Sequence, residues 1–324
     1  PDTLARFIRQ TLTRYPATRY LFYTFAHSQG VIDTRRLTGP PPAKTVSISR
    51  DATDNAKMCL EQFHEALKYG LNGRRFDLMV LFSCLTNMVE IGYALSDVTH
   101  YLVASQDEIR LLNQPPGSYQ IRGLHFEEIV AALKQNPAAD VKLLGQKGVD
   151  THVDNYGRDV MLPAAHKTAQ ACRYRADMAM VDCRALPLLV QQLDKMAGLM
   201  IAHSGNPQVV EAMRRALTAT PQFASFLNLE YYDLLHFVRQ LKGHLRQPDL
   251  ITICDSIMAQ LVDQVLVYER RTSDGVATGM SVYLSSPLVP ENVYQAHQAM
   301  YAQSRFGQDT RWDEMISCFR QHFR

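Results

Sequence analysis

Hydrophobic positions along the chain repeat with two different periods. In four short runs, residues 20–26, 77–82, 101–104 and 175–182, most positions are apolar or aromatic, as in strands buried on both faces. Between them the apolar residues recur every three or four positions: Leu4, Phe7, Ile8 and Leu12; then Met58, Leu60, Phe63 and Leu67; then Met88, Ile91 and Leu95. That spacing places them on one face of a helix. Asp2-Thr3 can cap the first helix and Pro16 stops it, while Gly70 suits the carboxyl end of the second, predicted over 56–69. Further helices are predicted over 124–135, up to Asn155, and over 186–202.

A helix between two strands is the connection that lets neighbours run parallel. The alternation therefore predicts an α/β fold, a mostly parallel sheet flanked by helices. After Gly205-Asn206-Pro207 the pattern is mostly helical (209–218, 231–241, 249–268). A last strand is predicted over 276–284, where Val276, Thr278, Met280, Val282 and Leu284 alternate, followed by two closing helices. One domain over 1–324 is expected, with its core in 1–136 and the remaining strands and helical additions in 137–324. Residues 31–55, rich in Thr and Ser and containing Pro40-Pro41-Pro42, read as a long irregular loop.

Composition narrows the function without naming it. The 324 residues are 46% hydrophobic and 20% charged, enough for a large core. Lys plus Arg (34) nearly balances Asp plus Glu (32), and the basic pairs are scattered, so neither a nucleic-acid nor a membrane partner has an electrostatic footprint. No apolar run reaches the length of a membrane span. The six cysteines lie far apart with no C-x-x-C, as expected of reduced thiols in a cytoplasmic protein. The first residue is Pro1 rather than Met, so a targeting signal ahead of it is left open.

Candidate chemistry centres on Cys84, just past the run 77–82. A cysteine there is ordinarily a small buried hydrophobe. Topology offers another reading, because the strand ending near His27 and the strand ending near Cys84 are joined by a helix and should emerge at one edge. There His27 could take the thiol proton and later return it to a leaving amine. A helix predicted to follow Cys84 at once would favour the thiolate through its dipole. The backbone amides of Ser28 and Cys84 are candidates to bind an oxyanion. His64, His125 and His236 sit in helical patterns and His100 at the opposite edge, while His152, His166 and His203 stay open. No metal site and no cofactor is expected: Ala165 stands where an EF-hand starting at Asp154 needs Glu, which leaves only calcium at a site of other design.

These residues resemble the clostripain family of cysteine peptidases, in the caspase-like clan. PDTLARFI, YPATRYLFYTFAH and FDLMVLFSCLTNMVEIGYALSDVTHYLVAS are similar to its segments around the catalytic histidine and cysteine, and MAMVDCRALPLL, EYYDLLHFVRQL and GMSVYLSSP to later landmarks. The resemblance implies a caspase-like fold and an endopeptidase acting on protein or peptide substrates, with Cys84 as nucleophile and His27 as its partner. It implies cleavage after Arg or Lys, with pocket candidates at Phe82, Ser105, Asp107 and Glu108. It also implies a zymogen cut between histidine and cysteine, at Arg35, Arg36, Lys44 or Arg50, by itself or by an upstream activating protease. Three positions depart from the family: Ser28 replaces a glycine, Phe82 replaces an aspartate, and a first strand is expected ahead of residue 1. The alternative is a catalytically silent, caspase-like regulatory or scaffolding protein.

Overall fold

The computed structural model describes residues 1–32, 47–50, 57–109, 126–156, 175–223, 230–273 and 275–323. Its centre is a five-stranded sheet in the order β1 (Leu21–Phe25), β4 (Phe76–Phe82), β5 (Thr99–Ala104), β6 (Asp177–Asp182) and β9 (Leu266–Arg271). Strands β1, β4 and β5 are parallel, as the helical crossovers α2 (Leu60–Leu71) and α3 (Val89–Leu95) require. Strand β6 runs antiparallel to both β5 and β9. Its amino end, Asp177, therefore lies at the edge where β4 and β5 end.

Alternation along the strands feeds two cores of unequal size. Met79 and Leu81 of β4, with Leu102 and Ala104 of β5, face a large core. That core is covered by α1 (Asp2–Arg14), α2, α3 and α6 (Leu186–Ala202), and extends to α7 (Pro207–Ala219), α8 (Leu234–His244), α9 (Pro248–Gln260), α10 (Glu291–Tyr301), α11 (Arg305–Asp309) and α12 (Trp312–His322). Leu78, Val80 and Phe82, one residue out of phase, face a small core roofed by α4 (Phe126–Gln135) and α5 (Val141–Tyr156) through Ile129, Leu144 and Val149. Helices α1 and α2 approach closely at Gly70, where a Cβ would lie 2.8 Å from Ile8 Cβ.

Several predicted elements change. Gly70 lies inside α2, and the helix ends instead on Asn72 in the left-handed region (φ 47°), its N–H donating to Lys68 O. Residues 57–59, read as helix, form β3 (Lys57–Cys59), paired antiparallel with β2 (Ser47–Arg50), so a hairpin interrupts the supposed irregular loop. The last turns of the predicted helix 249–268 are strand: α9 gives way to a π-helical turn, Leu261–Val265, and then to β9. Residues 231–233 open with β8 (Tyr231–Asp233), which pairs with β7 (Gln222–Phe223) and β10 (Ser281–Tyr283) in a separate three-stranded sheet. The predicted strand 276–284 shortens to β10 and belongs to that second sheet. It meets the turn that follows β4, where Ser281 N donates to Asn87 O (2.9 Å).

Candidate active site

Register brings the two chemical candidates to one edge of the sheet. Phe25 pairs with Phe82 at the end of the parallel ladder, and Ala26 N donates to Phe82 O (3.3 Å). His27 follows the one strand and Cys84 the other, each two residues past that last pair. The rings of Phe25 and Phe82 lie 5.8 Å apart. His27 is exposed and Cys84 half-buried.

The turn after Cys84 differs from the prediction. Helix α3 begins at Val89, five residues past Cys84, so its dipole does not end on the sulfur. Instead Leu85 adopts a left-handed conformation (φ 58°), which costs a non-glycine residue energy. The reversal turns Leu85 N onto Asp107 O (3.2 Å), and Thr86 N and Asn87 N onto Ser105 O (3.0 and 2.9 Å). Those three amides are consumed by the loop. Among the described residues, neither the Ser28 nor the Cys84 amide donates to the chain.

The segment after β5 closes on the thiol. Ile109 N donates to Cys84 Sγ (3.3 Å), and Cys84 Sγ can donate to Ile109 O (3.6 Å). Burial pushes the Cys84 thiol up; the Ile109 N–H opposes this, while the carboxylates of Glu108 and Asp107 push the same way as burial. The expectation of a locally positive, thiolate-favouring environment is thus reversed. Nearby charge is acidic. Phe82 is 1% exposed and sits among Tyr23, Phe25 and His152, whose ring meets it edge-on at 5.6 Å. Ser105 is buried, its hydroxyl donating to Asp107 O and Asp177 Oδ1.

Residues that the sequence reading passed over anchor this segment. The Asp177 carboxylate, 4% exposed, accepts from Gln106 N (2.8 Å), Asp107 N (2.9 Å) and Ser105 Oγ (3.1 Å). Burial lifts its carboxyl to about 7, opposed by the Gln106 donor and reinforced by Asp107. The buried Gln106 side chain donates to Asp233 Oδ2 (3.2 Å) and accepts from Gly279 N (2.5 Å). Asp233, fully buried, also accepts from the His236 amide and from the Thr278 amide and hydroxyl. Burial pushes that carboxyl up, but those donors outweigh it and hold it below the usual range. A signal for Asp177 was present, an acidic residue opening an otherwise apolar run, but it means little until β6 is known to run backwards.

Other candidates are not gathered here. His64 Nε2 meets Asp97 (2.6 Å), His203 Nε2 meets Asp249 (2.9 Å) and His236 Nδ1 meets Asp233 (3.3 Å); His152 is buried beside Phe82. His125 and His166 lie outside the described residues, as do Arg35, Arg36 and Lys44. Arg50 falls on β2, in the hairpin rather than in irregular loop. Among the described residues, no three His, Cys, Asp or Glu side chains gather to hold a metal ion, and no helix is long and apolar enough to cross a membrane.

The model of the clostripain family, peptidase family C11, matches residues 1–319. The chain belongs to the clostripain family. It is a cysteine protease with a caspase-like fold. No curated protein matches it. Among solved structures it is similar to a secreted C11 cysteine protease of Bacteroides thetaiotaomicron in complex with an irreversible peptide inhibitor. The identity is 15%, covering 97% of this chain and 78% of that one, with a TM-score of 0.62. The same organism's protease described as iotapain matches at 14% identity, 97% and 77% coverage and a TM-score of 0.60. An inactive zymogen C11 protease from Parabacteroides distasonis matches at 13%, 95% and 75%, with a TM-score of 0.54.

Proposed function

We propose that the protein is an endopeptidase that uses a Cys84–His27 dyad and cuts after Arg or Lys. The reading rests on one observation above all: the parallel β1–β4 register, whose last pair, Phe25 with Phe82, lies two residues before His27 and Cys84 at the carboxyl edge of the sheet. A substrate lying extended across that edge presents its carbonyl carbon to Cys84 Sγ. His27 accepts the thiol proton as sulfur attacks, and the amides of Ser28 and Cys84 receive the developing oxyanion. His27 then donates the proton to the leaving amine, and water releases the acyl group from the thioester. A thiol whose proton is held tightly by burial needs such a base at hand.

Support for a basic residue before the cleaved bond comes from Asp107 and Glu108. Both raise the thiol's pKa by their charge, so both lie near it, whereas Phe82 offers no charge. Support for a zymogen comes from the relative described as an inactive zymogen and from the basic residues between His27 and Cys84, namely Arg35, Arg36, Lys44 and Arg50. Cleavage there, by the chain itself or by an upstream protease, would precede full activity.

The test is a panel of fluorogenic peptides varied before the cleaved bond. Wild type is expected to turn over those with Arg or Lys, and Cys84→Ala and His27→Ala to turn over none. Equal activity of His27→Ala and wild type would remove the dyad. Turnover favouring Leu or Phe would remove the basic preference and assign the aromatic cluster around Phe82 to selection. Full activity of intact single-chain protein would remove the zymogen step.

A further inference from the structure

We propose that Asp177 is the positioning residue of this active site: its buried carboxylate pins the segment 105–109 over Cys84, and so sets where Asp107 and Glu108 stand. The inference rests on Cys84 and its acidic rim being the site named above.

The amides of Leu85, Thr86 and Asn87 hold the carbonyls of Ser105 and Asp107, but they leave the segment's own amides to be satisfied. Leaving β5, the segment must bend back far enough for both main-chain polar groups of Ile109 to reach Cys84 Sγ. Such a bend turns the amides of Gln106 and Asp107 inward, where burial without an acceptor costs free energy. Asp177 takes both amides and the Ser105 hydroxyl at once. All three partners are donors, and an ionised carboxylate is acceptor-only with room for all of them. Because β6 is antiparallel to β5, its amino end arrives beside the carboxyl end of β5, and no other strand of the sheet presents a side chain from that direction. The Gln106 side chain adds a second tether, to Asp233 and Gly279 of the neighbouring sheet. The tether fixes one residue. The carboxylate fixes the path of three.

Asp177 touches neither sulfur nor substrate, so its effect must pass through the segment. Freed of the carboxylate, Ile109 should lift from the thiol, and Asp107 and Glu108 should lose their positions beside it. Two readouts follow, of which the second would not move with simple loss of stability. One is the rate at which iodoacetamide alkylates Cys84, resolved from the other cysteines by peptide mass spectrometry. The other is the ratio of kcat/KM for Arg or Lys over Leu before the cleaved bond.

In Asp177→Asn, a folded protein is expected to alkylate at Cys84 at least about threefold faster than wild type, as Ile109 ceases to cover the sulfur and the two carboxylates leave it, and to lose most of its preference for basic residues. Should Asp177→Asn fail to fold because its NH2 meets two N–H donors, Asp177→Ser removes the carboxylate without that conflict and carries the same expectation. A folded variant whose alkylation rate and selectivity both match wild type overturns the proposal, whatever its melting temperature. If wild type shows no basic preference but Asp177→Asn still alkylates faster, the specificity reading fails while the positioning role stands.

Discussion

The two faces of the central sheet are built differently, and the difference explains where the chemistry is. One face is buried under a deep core that runs from α1 through α12 and takes in the second sheet. The other is covered by a short cluster beneath α4 and α5. Cys84 touches both, at the sheet's end. On the deep side, groups are held by packing and by permanent polar ties, such as Trp312 Nε1 donating to Tyr283 O (2.8 Å) and Tyr301 Oη to Glu90 Oε1 (2.9 Å). On the shallow side, the aromatic cluster around Phe82 leaves off where the thiol begins. A protease needs a rigid base and an accessible edge, and the chain divides these between its two faces.

The comparison can be broken most forcefully at Cys84, the proposed nucleophile. Cys84→Ala is expected to lower kcat by at least about 10³-fold, with the urea midpoint almost unmoved because the half-buried sulfur leaves little cavity. A large drop in stability would mean that Cys84 belongs to the core after all. Matched truncations test the faces themselves. Leu193→Ala, on the fully buried side of α6, should cost about 3–4 kcal/mol, and Leu144→Ala, on α5 over the shallow side, about 2 kcal/mol. Equal costs in urea unfolding would erase the distinction.

A third test uses pH. Burial lifts the Glu90 carboxyl from 4.5 to about 7, against the donors Tyr283 N and Tyr301 Oη. Between those values the folded protein binds more protons than the unfolded chain, so stability falls as pH rises from 4.5 to about 7 and then levels off. Asp177 contributes with the same sign but is common to both proteins compared. Glu90→Gln should therefore gain on wild type across that window, reaching about 3 kcal/mol at pH 8 and vanishing below pH 4. A constant difference at all pH values would refute it. The smallest effect lies on the rim: in Glu108→Gln, the alkylation profile of Cys84 should move to lower pH, since the removed charge was raising the thiol's pKa. A shift to higher pH would mean that Glu108 acts other than through its charge.

Much of the site could be read from the chain because it depends on local pattern. The runs ending near His27 and Cys84 were recognisable strands, and the helix α2 between them was legible, so their parallel pairing could be expected. What escaped was whatever depends on direction or on distant partners. An apolar run does not say which way a strand points, so β6 was found without its reversal, and Asp177 was missed with it. Residues 266–268, the start of β9, were read as the end of a helix because Leu266 and Tyr268 continue the spacing of α9, and only the π turn separates them. The dipole expected at Cys84 failed for a related reason. The apolar spacing of α3 is visible, but the left-handed Leu85 that delays its start is not.

The turn around Leu85 has a consequence for when activity can appear during synthesis. Its carbonyl partners at Ser105 and Asp107 are made early, but the bonds that steady them come late. Gln106 N reaches Asp177 across 71 positions, Gln106 Oε1 meets Gly279 N across 173, and Asn87 Nδ2 meets Gly279 O across 192. At about 5–20 residues per second, the ribosome needs on the order of ten to forty seconds to pass from Cys84 to the last of these contacts. Throughout that interval the nascent chain carries Cys84 without the ties that steady the turn after it.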